Sequence, residues 1–547
     1  MIYLDIETNL AHDTIWCCVT KLDGHMTVWT GSEGLQEYLD GHSVCAHNLI
    51  GFDAPVMKRV WGIDIPQDKL VDTLVMSRLL NPVAEGGHSL KMWGKRLGFD
   101  KMDFDTTDFD GGLTEEMLEY CKRDVDVLEK VQQHIQHELN TWTDSAKQSL
   151  ALEHAIAVEM AQQERNGYML DVRYATDLMG RLNGRCYYIE QNLHQIFPPI
   201  VEKRFSEKTG KPLKDKVTEF NVGSRKQIAE RLQSLGVKFT KMTEKGSIIV
   251  DEATLNQIGT PEAKAIAEYL MVKKRTSMIN SWLDAVHNDD RVRGRVIPNG
   301  TITGRMTHSS PNLGQVPSVK SPYGKQCRKL WTVPKGYKLV GTDLSGIELR
   351  CLAHYMKDEA YTHELLDGDI HTANQNAAGL ETRDQAKTFI YALLYGAGPA
   401  KIGSIVGGSA KQGQALIDKF MGNMPALDKL LKKVKRMAGQ GYVHALDGRR
   451  VIVRSEHAAL NSLLQSCGSI IAKQWCLEAH KLLRKEGIDY KQVAFVHDEI
   501  QLEVREDQAE QASVCMIAAA QLAGIALDFR VPVDAESKIG NNWYETH

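Results

Sequence analysis

The amino-acid sequence predicts a multidomain α/β protein. Its 547 residues exceed one domain and suggest about three or four. Hydrophobic residues make up 43% of the chain and charged residues 25%, which is the balance of a globular protein with a large core. Short apolar runs alternate with segments of helical periodicity from the N-terminus onward, and that alternation is typical of α/β architecture.

The α/β rhythm is clearest in the first 137 residues. MIYLDIE, DTIWCCVT and HMTVW have the composition of short strands, and helical patterns follow them. From Thr141 to about Ile196 the periodicity is helical, and Gly167 is a natural stop within it. Residues 197–220 break this pattern with a Pro-Pro pair, a Gly-Lys-Pro and many lysines, which predicts a loop or mobile tip.

The rest of the chain is predicted to mix helices with short strands. Helices resume with SRKQIAERLQSLG and PEAKAIAEYLMVKKRTSMINSWL, and RVRGRVIPNGTITGRMTH indicates a strand and a hairpin. Residues 360–440 have a mostly helical pattern. The chain then closes with a strand pair around residues 491–504, a helix, and a last strand near FRVPVD.

The charge of the chain is unevenly distributed. The net charge is −4, but residues 1–140 hold 12 basic and 24 acidic residues, and the remainder carries a net charge of +8. An acidic front and a basic body are consistent with two functional units, of which the basic one is the better candidate for binding a polyanion. Chance asymmetry of surface charge is the alternative interpretation.

Composition also narrows the class of protein. We see no apolar run of 18 residues, so we expect no transmembrane helix and no membrane partner. The N-terminus lacks the basic and apolar regions of a signal peptide, which favours a cytosolic protein. The ten cysteines form no C-x-x-C motif, so we expect free thiols and no zinc site.

Acidic residues stand at strand ends in the C-terminal half. YKLVGTDL is an apolar strand that reaches Asp343, and Ser345 with Glu348 has the spacing of a capping box, so a helix should follow. QVAFVHDEIQLEV predicts two strands joined at a turn that contains Asp498 and Glu499. If Asp343 and Asp498 come from neighbouring strands, they form a paired carboxylate site for two Mg²⁺ ions. Ordinary, solvated turn acids are the alternative.

The segment TRDQAKTFIYALLYGAG predicts a helix with one functional face. Thr382 and Gln385 have capping-box spacing at its start, and Gly396 and Gly398 end it. Four residues follow one another at steps of four and so share a face: Arg383, Lys387, Tyr391 and Tyr395. Basic groups followed by aromatic rings suit a nucleoside triphosphate, because the cations bind phosphates and a ring meets the sugar and base. A surface helix with core tyrosines is the alternative.

Three N-terminal segments supply a second set of acids. Asp5 and Glu7 are two residues apart on the first strand and point to one face. Asp53 closes the motif H-N-L-I-G-F-D, and Tyr120 and Asp124 share a helix face four residues apart. Four acids and a tyrosine from three elements predict another two-metal site. A solvated strand edge is the alternative for the first pair.

The C-terminal motifs resemble those of a known enzyme family. D-x-S-x-I-E-L-R, R-x-x-x-K-x-x-x-Y-x-x-x-Y-G and V-H-D-E occur in the order seen in family A (Pol I-type) DNA polymerases, most of all those of short-tailed bacteriophages. TGRMTHSSPNLGQVP, GDIHT and GRRVIVRSEHAALNSLLQS extend the resemblance to nearly the whole chain. It implies a right-hand polymerase that extends a primer 3′-OH with dNTPs in phage DNA replication.

The polymerase resemblance implies roles for individual residues. Asp343 and Asp498 would be metal ligands with Glu499 close by, and Glu348 would act as a steric gate against ribonucleotides. The triphosphate would be held by Arg383, Lys387 and His371, with Lys387 also a general acid to the leaving pyrophosphate. Tyr391 would lie against the sugar and Tyr395 near the template base. The minor groove at the primer terminus would be contacted by Arg305, Gln465 and His497.

The N-terminal motifs D-I-E, H-N-x-x-G-F-D and Y-x-x-x-D resemble DEDDy-type 3′–5′ exonucleases. In this family such a ribonuclease H-like domain precedes the polymerase. The resemblance implies a proofreading site with two Mg²⁺ or Mn²⁺ ions, where Tyr120 orients the attacking water. The metal ligands would be Asp5, Glu7, Asp53 and Asp124.

The resemblance also implies a domain layout and partners. An exonuclease domain would span residues 1–140 and a thumb residues 141–290, with the fingers at 356–440 between two palm segments at 291–355 and 441–547. The partners would be primer-template DNA, dNTPs and a replicative helicase-primase, in the cytoplasm of a bacterial host.

One stretch departs from the best-studied enzymes of short-tailed phages. Those enzymes carry an extended insertion between the thumb helices that binds host thioredoxin, whereas here the corresponding stretch is only residues 197–220, and it is basic. We therefore expect no thioredoxin-type processivity factor. Our hypothesis is that these residues contact duplex phosphates directly, which predicts steep salt dependence. A solvated loop is the alternative.

Two other functions are weighed against this interpretation. A single-subunit RNA polymerase shares the palm and fingers, but Glu348 as a gate, Tyr395 before Gly396 and the exonuclease motifs oppose it. A non-catalytic DNA-binding factor built on an inactive polymerase is opposed by the intact acids of both sites. No phosphate-loop motif is present, which argues against a P-loop ATPase.

Overall fold

The computed structural model describes residues 1–102, 110–142, 146–243 and 245–547. Its N-terminal part is a five-stranded sheet of strand order β3-β2-β1-β4-β5, in which β1 pairs antiparallel with β2 and parallel with β4. The elements are β1 (Ile2–Thr8), β2 (Ile15–Leu22), β3 (His25–Trp29), α1 (Leu35–Leu39), β4 (Val44–Ala46), α2 (Asp53–Trp61), β5 (Leu70–Asp72), α3 (Thr73–Leu80), α4 (Leu90–Arg96) and α5 (Glu115–Asn140).

Alternation along β1 determines which face of this sheet carries acids. Ile2, Leu4 and Ile6 are buried in one apolar cluster together with residues of α1 and α2. Because successive side chains of a strand point to opposite faces, Asp5 and Glu7 project to the other side, where α5 packs against β1. The prediction that these two acids share a face of the strand follows from this alternation.

The middle of the chain is dominated by two long helices that pack against each other, α7 and α10. The elements are α6 (Ala146–Asn166), β6 (Tyr168–Leu170), α7 (Val172–Ile196), β7 (Ile200–Phe205), β8 (Pro212–Thr218), α8 (Arg225–Ser234), α9 (Glu252–Ile258) and α10 (Pro261–Asp284). Gly167 separates α6 from β6 in a left-handed conformation, which agrees with the predicted stop.

The prediction of a loop over residues 197–220 was wrong. β7 and β8 pair antiparallel as a hairpin whose side chains are almost all exposed. Pro198, Pro199 and the Gly-Lys-Pro segment mark the ends and turn of the hairpin, while β-branched residues such as Val201 and Val217 pair across it. The Gly and Pro residues therefore marked the boundaries of the hairpin correctly, but they led to the prediction of a loop where two strands form.

A four-stranded antiparallel sheet of order β16-β17-β13-β18 is the centre of the C-terminal part. The elements up to the helical region are β9 (Arg291–Val292), β10 (Arg295–Ile297), β11 (Thr307–Ser309), α11 (Gly324–Lys329), β12 (Trp331–Thr332), β13 (Tyr337–Leu344), α12 (Ile347–Met356), α13 (Glu359–Leu366), α14 (Ile370–Ala378), α15 (Arg383–Leu394), α16 (Pro399–Ile405), α17 (Ala410–Asn423) and α18 (Pro425–Ala438). The helical prediction for residues 360–440 is confirmed.

The chain returns to this sheet after the helical region. The remaining elements are β14 (Tyr442–His444), β15 (Arg450–Ile452), α19 (Ala459–Lys485), β16 (Tyr490–Val496), β17 (Glu499–Arg505), α20 (Ala509–Ala526) and β18 (Ala535–Gly540). The predicted strand pair near residues 491–504 is confirmed. The last strand predicted near FRVPVD is present and begins directly after that segment, since pairing with β13 starts at Ala535 while Val531 and Val533 are buried in the core.

Two further expectations are corrected. The helical segment Glu506–Ala526, which contains α20, is long and apolar enough by composition to cross a membrane, so a long apolar run does exist in the described ranges. Its inner side packs on β13, β18 and α19, as a core helix does. The capping box at Ser345 is also absent, since Gly346 in a left-handed conformation precedes α12 and the Ser345 hydroxyl makes no hydrogen bond within the described residues.

Candidate active sites

The central sheet brings two C-terminal acids together. Asp343 is the penultimate residue of β13, and Asp498 lies in the tight turn between β16 and β17. Because β13 pairs with β17, the backbone N–H of Leu344 donates a hydrogen bond of 3.0 Å to the carbonyl oxygen of Asp498. The predicted condition for a paired site, two acids from neighbouring strands, is therefore fulfilled.

The electrostatics of this pair favour a bound cation. Burial, followed by the charges of Asp498 and Glu499, raises the pKa of Asp343 to about 7. Burial also raises the pKa of Asp498. A divalent cation would reduce the repulsion between carboxylates held together at the end of a sheet, and carboxylate oxygens are the ligands that Mg²⁺ prefers. Asp343 and Asp498 thus fit a magnesium site by their chemistry.

Glu499 has a different environment from its neighbour. It stands opposite Asp343 in the strand register, but its carboxylate accepts hydrogen bonds from Trp543 Nε1 at 2.5 Å and Gln501 Nε2 at 2.7 Å. His547 Nδ1 lies 3.1 Å from its second oxygen. Burial alone would raise the pKa of Glu499, but His547, Arg328 and Trp543 together hold it below its ordinary value. Sequence reasoning missed this C-terminal group, because nothing in W-Y-E-T-H marks a long-range contact.

The helix α15 presents the basic and aromatic face that the sequence predicts. The capping box of Thr382 and Gln385 is confirmed, and Tyr395 directly follows the helix, with Gly396 in a left-handed conformation. Arg383 forms an ion pair with Asp369 at 2.7 Å. Asp369 in turn caps α14 through the backbone N–H of His371, so α14 and α15 are tied together at their starts.

His371 lies in the first turn of α14, close to Tyr391 of α15. Its ring centroid is 6.3 Å from that of Tyr391, and its Nδ1 is buried with no hydrogen-bond partner among the described residues. Burial first, and then the cations of Arg383 and Lys387, lower the pKa of His371. The structure therefore brings Arg383, Lys387, Tyr391 and His371 to one surface, where an anionic ligand would be favoured.

A third group of predicted residues lies between α15 and the sheet. The carboxylate of Glu348 contacts Arg305 at 3.3 Å and accepts a hydrogen bond from the hydroxyl of Tyr395. His497, in the turn beside Asp498, has its pKa lowered by burial and by the charge of Arg305. Gln465 lies on α19, where its side chain donates a hydrogen bond to Asn461 at 2.9 Å and forms none with this group among the described residues. One turn further on, the hydroxyl of Ser469 donates to the carbonyl oxygen of Gly304.

The five predicted N-terminal residues also converge. Asp5 and Glu7 project from β1, Asp53 is the first residue of α2, and Tyr120 and Asp124 lie on the face of α5 that packs on β1. Asp53 and Asp124 are almost fully buried, and Asp124 Oδ1 has no hydrogen-bond partner among the described residues. A buried carboxylate oxygen without a partner is costly unless a cation binds there.

All four N-terminal acids have raised pKa values. Burial is the main cause throughout, and it raises the pKa of Glu7 to about 8, that of Asp53 to about 7 and that of Asp124 to about 6. The pKa of Asp5 lies well above its ordinary value, because burial is reinforced by Glu7, Asp124 and Asp53. The four carboxylates thus form a second site whose chemistry fits Mg²⁺ or Mn²⁺.

Two neighbours of this second site were not predicted. Lys101 forms an ion pair with Asp124 and places its ammonium 4.3 Å from the ring centroid of Tyr120. The thiol of Cys121 lies 3.5 Å from Asp5 Oδ2. Cys121 follows Tyr120 within the Y-x-x-x-D motif, whereas Lys101 is 23 residues from Asp124, so only the fold brings it to the acids.

Comparison with known proteins assigns the chain to a family. Residues 200–545 match the model of DNA polymerase family A. The chain is 34% identical to the DNA-directed DNA polymerase of Enterobacteria phage T3 and 33% identical to that of Escherichia phage T7, with 93% of both chains covered in each case. It is 27% identical to the DNA polymerase I of Pseudomonas aeruginosa over 87% of this chain and 54% of that protein.

A solved structure matches the fold across the whole chain. It is the POL domain of Pol1 from M. smegmatis in complex with DNA primer-template and dNTP. The TM-score is 0.84 with 18% sequence identity, and the match covers 100% of this chain and 95% of that chain. At this identity, the likeness concerns the fold.

Proposed function

The chain belongs to DNA polymerase family A, and from this premise we propose that it copies DNA and proofreads its own product. The C-terminal site would extend a primer 3′-OH with dNTPs on a DNA template, and the N-terminal site would remove 3′-terminal nucleotides. The observation that carries the proposal is the convergence of Asp343 and Asp498 at the end of the sheet, where the charge of Asp498 also acts on Tyr391 of α15. Its phage relatives support a role in phage DNA replication.

The polymerase chemistry follows from the groups around the sheet end. Two Mg²⁺ ions held by Asp343 and Asp498 would supply charge stabilisation to the attacking hydroxyl and the leaving pyrophosphate. Arg383, Lys387 and His371 would bind the triphosphate, and Lys387 would donate a proton to the pyrophosphate. Family A DNA polymerases use divalent metal ions, so the acid pair is the expected place for them.

Selection of the nucleotide would depend on the group formed by Glu348 and Tyr395. Glu348 would exclude a 2′-hydroxyl, Tyr391 would pack against the sugar, and Tyr395 would occupy the insertion position until a template base replaces it. Arg305, Gln465 and His497 would contact the minor groove, where A·T and T·A present the same acceptors, so these contacts test pair shape. Closure of α15 over the pair would add a fidelity step.

The exonuclease chemistry would use the N-terminal acids. Two Mg²⁺ or Mn²⁺ ions held by Asp5, Glu7, Asp53 and Asp124 would supply charge stabilisation for hydrolysis of the terminal phosphodiester. Tyr120 would orient the attacking water from α5. The motif order, the burial of the acids and their raised pKa values support this assignment.

The domain layout of the proposal follows the sequence expectation. Residues 1–140 would form the exonuclease domain and residues 141–290 the thumb, while residues 291–355 and 441–547 would form the palm around the fingers at 356–440. The packing of α7 on α10 and the four-stranded sheet support the thumb and palm. A helicase-primase partner and a bacterial host cytoplasm remain parts of the proposal, and the shortness of residues 197–220 argues against a thioredoxin-type factor.

The deciding experiment is a gel assay with an end-labelled primer on a longer template in Mg²⁺, with and without dNTPs. We expect extension with dNTPs and shortening without them. Asp498→Ala should abolish only extension, and Asp5→Ala should abolish only shortening, so each variant is the control for the other. Extension that survives Asp498→Ala would overturn the assignment of Asp498 to the polymerase site, absence of extension in the wild type would overturn the polymerase proposal, and extension with rNTPs alone would favour an RNA polymerase.

A further inference from the structure

Lys101 is a cation among the N-terminal acids that the proposed chemistry does not use. Its ammonium forms an ion pair with Asp124 Oδ2, and the two side chains are 17% and 4% exposed. The same ammonium lies 4.3 Å from the ring centroid of Tyr120, near enough for a hydrogen bond with the phenol oxygen. One mostly buried cation therefore contacts both of the site residues that α5 contributes.

The two carboxylate oxygens of Asp124 have different environments. Oδ2 binds Lys101, whereas Oδ1 is buried without a hydrogen-bond partner among the described residues. Because the ammonium occupies Oδ2, this ion pair determines which oxygen remains available to a metal ion. Tyr120 and Asp124 lie four residues apart on one helix face, so a single ammonium can hold both side chains. The contact thus sets the orientation of a proposed metal ligand and of the residue that would orient water.

Contacts with two helices hold the backbone that carries Lys101. The guanidinium of Arg123 on α5 donates to the carbonyl oxygen of Asp100, from Nε at 2.9 Å and from Nη2 at 2.7 Å. It also lies over the ring of Phe99, 3.6 Å from the centroid. On α4, Gly94 gives this segment room, because a Cβ there would lie 2.8 Å from the carbonyl oxygen of Phe99. Lys101 is therefore presented to the acids by a segment that is fixed to α5 itself.

A cation in this position could have either of two roles. It could only neutralise the acids, in which case bound metal ions would replace it. It could instead hold its partners in place after the metal ions bind, as groups outside the ligand sphere do in many metal sites. The second role is favoured, because Lys101 also contacts Tyr120, whose phenol is not among the proposed ligands. The bonds between Arg123 and the Lys101 segment are also independent of the acids.

We propose that Lys101 is a positioning residue for hydrolysis at the N-terminal site. Its ammonium keeps Asp124 Oδ1 directed to the metal ions, and it keeps the Tyr120 hydroxyl where that group orients the attacking water. Substitution of groups that hold metal ligands in place typically costs about 10–100-fold in activity. This inference rests on the exonuclease part of the proposed function, and it gives a role to a residue outside the three acid motifs.

The first test is excision from an end-labelled single strand by the full chain, in saturating Mg²⁺ and under single-turnover conditions. Lys101→Met, which keeps an unbranched side chain and removes the charge, should lower the maximal rate by at least about tenfold. Affinity for the strand, measured by anisotropy in EDTA, should stay within about twofold of wild type, because the lysine acts on the chemical step. Extension of a matched primer by the same variant should be unchanged, which excludes a general loss of folding.

Two further variants make this test specific. Lys101→Arg restores a cation and should recover most of the lost rate. Lys122→Met removes a lysine of the same helix that pairs with Glu119 instead, so it is the matched control and should behave as wild type. A Lys101→Met rate that equals or exceeds the wild-type rate would show that the lysine only neutralises the acids, and it would overturn the proposal.

A double-mutant cycle shows whether Lys101 acts through Tyr120. Tyr120→Phe removes the hydroxyl that the ammonium holds, so Lys101→Met should cost a factor at least about threefold smaller in this background than in wild type. Equal factors in the two backgrounds would mean that the residues act independently, and the positioning role would be overturned.

Failure of this inference can be told apart from failure of the exonuclease proposal. If wild type shortens the strand and Asp5→Ala does not, an unchanged rate in Lys101→Met overturns the inference alone. If wild type never shortens the strand, the exonuclease proposal fails, and fluorine NMR of protein labelled with 3-fluorotyrosine still decides the contact. The Tyr120 resonance, identified by its absence in Tyr120→Phe, should shift in Lys101→Met and stay in place in Lys122→Met. An unshifted resonance in Lys101→Met would overturn the inference.

Discussion

The hydroxyl of Tyr395 donates a hydrogen bond to the carboxylate of Glu348, which joins the end of α15 to the first turn of α12. Arg305 contacts the same carboxylate oxygen at 3.3 Å. Under the proposed function, Glu348 and Tyr395 both border the slot for the incoming nucleotide. Because the proposal has Tyr395 leave the insertion position when a template base enters, this hydrogen bond would break at that step.

Removal of the Glu348 side chain should relax sugar selection. We expect Glu348→Ala to raise the ratio of ribonucleotide to deoxyribonucleotide insertion efficiency by at least about tenfold, because the side chain that would meet a 2′-hydroxyl is gone. Single-nucleotide insertion kinetics with a matched rNTP and dNTP measure this ratio. Glu359→Ala, at the exposed start of α13, is the control, and an unchanged ratio in Glu348→Ala would contradict the gate.

Neighbouring acids in the β16–β17 turn should differ in importance. Asp498→Asn should reduce kcat for extension by about a thousandfold or more, because it removes a proposed metal ligand. Glu499→Gln should cost about tenfold or less, since an amide oxygen can still accept hydrogen bonds from Trp543 and Gln501. Rapid-quench extension assays compare the two. Equal losses would mean that Glu499 acts directly on the metal ions.

The protonation of Glu7 should make stability depend on pH. Its folded pKa is about 8, mainly through burial and then through Asp124, against an ordinary value near 4.5. Below pH 4.5 Glu7 is protonated in both the folded and the unfolded state. Between pH 4.5 and 8 the unfolded state ionises while the folded state keeps the proton, so stability falls across this window. In EDTA, we expect Glu7→Gln to match wild type at pH 4.5 and to exceed it by more than about 1 kcal/mol at pH 8.

Urea unfolding at the two pH values tests this expectation. Addition of Mg²⁺ at pH 8 should remove most of the difference between Glu7→Gln and wild type, because a bound cation favours the ionised carboxylate. A difference that is the same at both pH values would contradict the assignment of the effect to titration of Glu7.

A buried ion network should make Glu153 important for the stability of the fold. Its carboxylate lies 2.5 Å from Arg449 and 2.6 Å from Lys473, and all three side chains are almost fully buried. Glu153→Ala would leave two buried cations, of which only Arg449 keeps a second partner, Asp447. We expect a loss of about 3–5 kcal/mol in unfolding free energy. Glu230→Ala, which breaks an exposed pair with Lys226, should cost under about 0.5 kcal/mol in the same urea titration.

The basic hairpin β7–β8 should contribute to salt-dependent DNA binding. Lys203, Lys208, Lys211 and Lys214 are exposed on the hairpin or its turn. If they contact duplex phosphates, replacing all four by alanine should reduce the slope of log affinity against log salt by about 3.6. Replacement by arginine keeps the charge and should keep the slope. If the alanine variant keeps the salt slope and the processivity of the wild type, the hairpin is solvated and does not contact DNA.

The sequence predicted the parts of each site that depend on local geometry. The alternation of β1 determines that Asp5 and Glu7 share a face, and steps of four determine the face of α15. The capping box at Thr382 formed because its partners are three residues apart. The similar pattern at Ser345 failed, because Gly346 adopts a left-handed conformation and Glu348 is engaged by Arg305 and Tyr395 instead.

By itself, then, the sequence predicted the order of most elements and the acids of both candidate sites, and it determined the family to which the chain belongs. Only the tertiary structure decided that Glu499 turns to Trp543 and His547 and that Lys101 pairs with Asp124. Strands have a side-chain period of two residues and helices one of 3.6 residues, and both periods are visible in the order of apolar and polar residues along the sequence. Contacts between residues tens to hundreds of positions apart have no such period, because they depend on how whole helices and sheets pack.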